Sequence, residues 1–255
     1  MHKFIFATSV FLGAFAIFTA VNAADMEKKP ACSFQTQLDA IKNAAEDKNL
    51  DSIQKVKVEL SARKSMLKNV IDCAAIDVEN LKTETEAIAV PSDGPIQQIK
   101  NQIVGDLRGI LQYYAAQKSK IENVGIRGSQ DLARDIKEWR AINYSPLAQK
   151  AVNFIAWNKN RELIQTAQNR IAQVRRTVIV LKLLNDEEFQ NLFNRADGHF
   201  NEAVSSNDKT LETFTRLGNP EDALFLIKAT LEALSETYQE FFTISERINK
   251  LLPSK

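Results

Sequence analysis

Two cysteines, a histidine at position 199 and a loose group of aromatic side chains are the residues of this 255-residue chain best suited to chemistry. Cys73 stands in "VIDCAAIDVENL", a stretch with helical periodicity, and Cys32 follows the polar run "DMEKKPA". A catalytic thiol needs a cationic neighbour to hold its thiolate, and Asp72 and Asp77 have the wrong sign. A lipid-carrying cysteine would directly follow an apolar segment, and Cys32 does not. An even cysteine count in an exported chain fits a disulfide, Cys32 to Cys73. It would close a loop of about 40 residues, worth roughly 4 kcal/mol in the chain-entropy treatment.

His199 lies in "ADGHFNE", near Asp197 and Glu202. A di-iron bundle takes two Glu-x-x-His motifs and further glutamates from other helices, which one histidine does not supply. The expectation is a solvated polar face, with no metal and no cofactor. No Gly-x-Ser-x-Gly elbow and no glycine-rich phosphate loop occurs. Neighbouring carboxylates such as Glu187 and Glu188 read as helix surface. With no acid, base or nucleophile assembled, the chain is expected not to be an enzyme.

Trp139, Tyr144, Phe154 and Trp157 fall within one short stretch, with Tyr113 and Tyr114 on the preceding helix. Such a group either contacts a ligand or partner, or fills the space where a short helix packs across long ones. The following helix is rich in amides (Asn153, Asn158, Asn160, Gln165, Gln168, Asn169, Gln173) and arginines (Arg161, Arg170, Arg175, Arg176). That mixture reads as a solvated face that a protein partner could use.

The elements that must position these residues are helices. Only 8 glycines and 6 prolines punctuate the chain, and no run alternates at the period of a strand. A short helix is expected over 33–47. A long one follows over 52–89, with Ile53, Leu60, Leu67, Ala74, Leu81 and Ile88 seven residues apart. A third spans 95–124 and a short fourth begins at Ser129. From Pro146 the heptads resume, and their phase carries through Asn185, which favours a continuous helix to Leu217 over a break at "NDEE". "LGNP" ends it, and a last helix runs from Pro220 to Leu252. The fold class is all-α: an elongated antiparallel bundle of long coiled-coil-like helices with two short side helices.

The N-terminus sets the compartment. "MHK", the uncharged "FIFATSVFLGAFAIFTA" and "VNA" form a secretory signal, cut after Ala23. If it is retained, the chain becomes a membrane-anchored ectodomain. The organisation is then signal 1–23, polar lead-in 24–32 and one helical domain 33–252, with a possible division into 33–184 and 185–252. The destination is periplasmic, cell-surface or extracellular. Thirty-three basic against 32 acidic residues leave no basic face for nucleic acid. After signal cleavage no membrane insertion is expected. The leading expectation is a scaffold, spacer or protein-binding module working through a protein partner or self-association. The alternative is a ligand-binding or sensory bundle with its site around Trp139, Tyr144 and Trp157.

Overall fold

The structure, a computed structural model, describes residues 35–215 and 219–251. Within them every element is a helix: α1 (Gln35–Glu46), α2 (Ser52–Ala87), α3 (Pro95–Lys120), a 3-10 turn (Ile121–Asn123), α4 (Ile126–Trp139), a π-helical segment (Arg140–Tyr144), α5 (Ser145–Val180), α6 (Glu187–Thr215) and α7 (Pro220–Leu251). The signal, the lead-in, Cys32 and Gly218 lie outside the described residues. No helix among the described residues is long and apolar enough to cross a membrane.

Contacts divide the chain into two compact units. The first takes its described residues up to Ala74, together with Ile121–Ser129. Here α2 starts on a reciprocal cap. Asp51 Oδ1 accepts from the Gln54 N–H at 2.7 Å, and Gln54 Oε1 accepts from the Asp51 N–H at 2.9 Å, so two otherwise unpaired donors are satisfied. Leu67, Ile71 and Ala74 are buried along the predicted seam, whereas Ile53 and Val56 at its start are exposed. In α1 Ala44 is buried and Leu38 is half-exposed. Lys64 Nζ donates to the Glu122 carbonyl at 2.6 Å, and Lys68 pairs with the Glu122 carboxylate.

The second unit, Ala75–Lys120 with Gln130–Lys255, holds the long helices. Proline at the first position of α3, after Gly94 at φ 114°, sets the turn out of α2. The carbonyls left over beyond the end of α2 are taken by side chains. Lys100 Nζ donates to the Ile88 carbonyl at 2.6 Å and Arg161 Nη2 to the Ala89 carbonyl at 2.9 Å.

Two junctions differ from the sequence expectation. α5 starts at Ser145 with proline in its first turn, where the heptads resume, but no break precedes it: the π-helical segment runs straight into it. Proline has no N–H and its ring crowds the carbonyl four residues back, which interrupts the α ladder. The backbone absorbs this by widening to a π turn, and the Ser145 N–H bonds the Arg140 carbonyl five residues earlier. At the other junction, continuity through Asn185 is overturned. α5 ends at Val180 and the chain reverses at 181–186. Lys182 takes a left-handed φ of 58°. Its N–H bonds the Ile179 carbonyl at 2.9 Å, and the Leu183 N–H bonds the Val178 carbonyl at 3.0 Å. Asp186 Oδ1 then caps α6, accepting from Glu188 N–H at 2.9 Å and Phe189 N–H at 3.4 Å. Neither glycine nor proline is needed when a lysine adopts the left-handed position itself.

The three last helices pack together. Along α6 and α7, Arg195 pairs with Glu240, His199 with Glu236, and Glu188 with Arg247. One number falls as the other rises by the same amount, so the helices are antiparallel. Between α5 and α7 the step has the opposite sense. Asn153 Nδ2 donates to the Pro220 carbonyl at 2.8 Å, and Asn160 Nδ2, one heptad on, to the Ile227 carbonyl at 3.1 Å. Those two helices are parallel. Val178, Phe189, Leu192, Phe193, Ile244 and Ile248 fill one end of the interior. Ala167, Ala203, Ala233 and Leu234 let the backbones approach further along. Each large side chain removed from water here contributes about 1.5–3 kcal/mol.

Candidate functional site

The four aromatic residues singled out in the sequence fall into separate ring groups. Phe154 and Trp157, one turn apart on α5, stack at 5.4 Å. Phe214 of α6 meets both edge-on, at 5.7 Å from Phe154 and 6.4 Å from Trp157. Trp157 is only 2% exposed, and its indole N–H donates to the Asn207 carbonyl at 3.0 Å. The Arg161 guanidinium covers the ring at 5.5 Å. Phe154, Trp157 and Phe214 form a buried aromatic group whose indole N–H is satisfied. Phe214 and Asn207, some 50 residues downstream of Trp157, complete it. Their part became visible only when α6 folded back on α5.

Trp139 belongs to the other group. It is half-buried at the end of α4 and stacks on Tyr113 of α3 at 3.5 Å, nearly parallel at 9°. Tyr114 meets it edge-on at 6.2 Å. Tyr144, at the end of the π segment, carries the Arg140 guanidinium 4.8 Å over its ring. Burial pushes the Tyr114 hydroxyl above the ordinary tyrosine pKa, with Arg140 acting against it. Burial also raises Tyr144, again opposed by Arg140 and helped by the charge of Asp77. Tyr113 rises through burial and the nearby Asp135. In all three the neutral phenol is favoured because the low-polarity surroundings penalise the phenolate. The stretch thus holds a half-buried Tyr113–Trp139 stack and, on the following segment, an arginine over the Tyr144 ring.

The amides of α5 divide in two. Asn153, Asn158 and Asn160 are buried, not part of a solvated face. Asn153 and Asn160 spend their amides on α7 carbonyls, as described above. The arginines are also partly engaged: Arg175 pairs with Asp197 at 2.5 Å and lies over Phe193 at 5.4 Å.

His199 has a setting that the sequence hid. Its Nδ1 lies 2.9 Å from Glu236 Oε2 across the α6/α7 seam. Glu202, one turn along α6, completes a group whose ligand atoms all lie within 4.8 Å of one another. Glu202 was legible from its spacing to His199. Glu236 was not, because it comes from another helix. Cys73 lies half-buried in α2, and there is no free cysteine among the described residues.

No protein-family model, curated protein or solved structure matches the chain.

Proposed function

We propose that the chain is an exported, non-enzymatic helical protein that works by presenting helix surfaces to a protein partner or to a second copy of itself. The observation that carries this reading is the exposure of large apolar side chains on well-packed helices. Val180 is 78% exposed and Phe225 71%, with Ile142, Val152 and Ile179 also turned outward. A docking partner would cover such side chains where they adjoin one another, as Ile179 and Val180 do along the chain. Light scattering on the mature chain tests the self-association arm: a strictly monomeric mass across a wide concentration range removes it.

The sequence pattern of residues 1–23, a short basic start, an uncharged apolar run and small residues before Ala24, supports export with cleavage after Ala23 and hence a periplasmic, cell-surface or extracellular destination. In that oxidising setting Cys32 and Cys73 are assigned to each other as a disulfide. Thiol-reactive labelling of the unreduced native protein checks this; modification of either cysteine would disprove the pairing.

A second reading, a ligand-binding bundle, is favoured by the Tyr113–Trp139 stack beside the π-helical segment. Single π turns recur at functional sites. It requires an aromatic or cationic small ligand to quench Trp139 fluorescence saturably, and to lose that effect in Tyr113→Ala.

A further inference from the structure

His199 is the only histidine among the described residues, and it stands where α6 and α7 run antiparallel. Glu202 follows at i+3, on the same face of α6. Glu236 faces His199 from α7. One imidazole nitrogen and two carboxylate oxygens thus converge within 4.8 Å. Ligands around a zinc-like ion sit about 2.0–2.2 Å from the metal, hence roughly 3–4 Å from each other. Closing the group on an ion therefore takes side-chain adjustment alone.

Two features hold the three residues at that spacing without any ion. One turn away, Arg195 grips Glu240 with two bonds, at 2.8 and 3.0 Å. Glu188 and Arg247 pair further along the same seam. The register of the helices is thereby set independently of His199. Arg195, one turn from His199 on α6, spends its guanidinium charge on its own carboxylate partner, Glu240. Beside His199 the small Ala203 and Ala233 are buried between the helices, which brings the two backbones close at this level.

We propose that His199, Glu202 and Glu236 bind a borderline divalent transition-metal ion of the zinc type, clamping α6 to α7. One nitrogen and two oxygen donors suit zinc, cobalt(II) or manganese(II) better than a soft monovalent ion, which prefers sulfur. Their combined charge of −2, with the imidazole neutral, favours a dication. His199 and Glu236 are partly exposed, their side chains at 31% and 52%, so water or a partner's side chain completes the coordination shell.

The test uses the mature chain, stripped of metal with a chelator and titrated with zinc alone by calorimetry. The expected result is one ion per chain, a raised melting temperature, and a visible absorption band when cobalt(II) replaces zinc. His199→Asn, Glu202→Gln and Glu236→Gln should each weaken binding by about tenfold or more. Glu202→Gln leaves the His199–Glu236 contact in place, so its effect reports metal binding and not loosened helices. No saturable uptake up to about 1 mM zinc, a free energy near −4 kcal/mol, would overturn the proposal. So would a His199→Asn protein that binds zinc as tightly as the parent.

Discussion

Asn160 donates through Nδ2 to the Ile227 carbonyl at 3.1 Å, in a position that is 2% exposed. With the matching bond from Asn153 to Pro220 one heptad earlier, it fixes both the direction and the register of α7 on α5. Asn160→Asp keeps the shape and removes the donor. It sets a buried carboxylate against a carbonyl oxygen, so unfolding should become easier by about 3–5 kcal/mol. Asn207→Leu is the contrasting case, because Asn207 Oδ1 is buried with no hydrogen-bond partner. Removing such a group relieves a desolvation cost of about 1–3 kcal/mol, so this variant should be close to neutral. Urea unfolding of both checks the difference; equal losses would contradict it.

Lys182 occupies the left-handed region at φ 58° in the turn between α5 and α6. A side chain with a Cβ is disfavoured there, and glycine is not. Lys182→Gly should stabilise the protein by up to about 1 kcal/mol, where most glycine substitutions destabilise. A thermal melt reads the sign. A lower melting temperature would mean that the turn does not take this conformation in solution.

The four tyrosines of the chain, Tyr113, Tyr114, Tyr144 and Tyr238, all have pKa values raised above the ordinary 10.0, with burial the largest cause in each. The folded state therefore holds these protons more tightly than the unfolded chain does. The stability this contributes is fully present below pH 10.0, the unfolded value, and is lost as the pH rises through the higher folded values. Ultraviolet titration should show phenolate appearing later in the native protein than in urea. Coincident curves would contradict the buried setting of these rings.

Helix existence was legible in the chain wherever the heptad was long. Leu67 and Ala74 are buried as their spacing requires, and α7 begins at Pro220 with Asn219 Oδ1 accepting from the Glu221 N–H at 3.1 Å. The reversal at Lys182 was not legible. The apolar phase of α5 happens to continue into α6, and the signal that mattered was the Asp186 cap, a weaker cue than glycine or proline. The aromatic group was half legible. Phe154 and Trp157 are close because they are one turn apart on one helix, and Tyr113 with Tyr114 lay one helix away from Trp139. Phe214 reaches Trp157 through tertiary folding, which local periodicity does not encode. The buried amides were misread for the same reason. An asparagine at a seam position looks like surface until a neighbouring helix supplies a carbonyl for it.

Photo-crosslinking in the producing cell asks whether the exposed apolar side chains meet a partner. A photoreactive amino acid is placed at Val180 or Phe225, both strongly exposed, with exposed Asp208 as the polar control. The exported fraction should contain the chain without residues 1–23, with a discrete protein adduct from positions 180 and 225 and none from position 208. An uncleaved chain retained in the cytoplasm, or uncrosslinked monomer at all three positions, would contradict it.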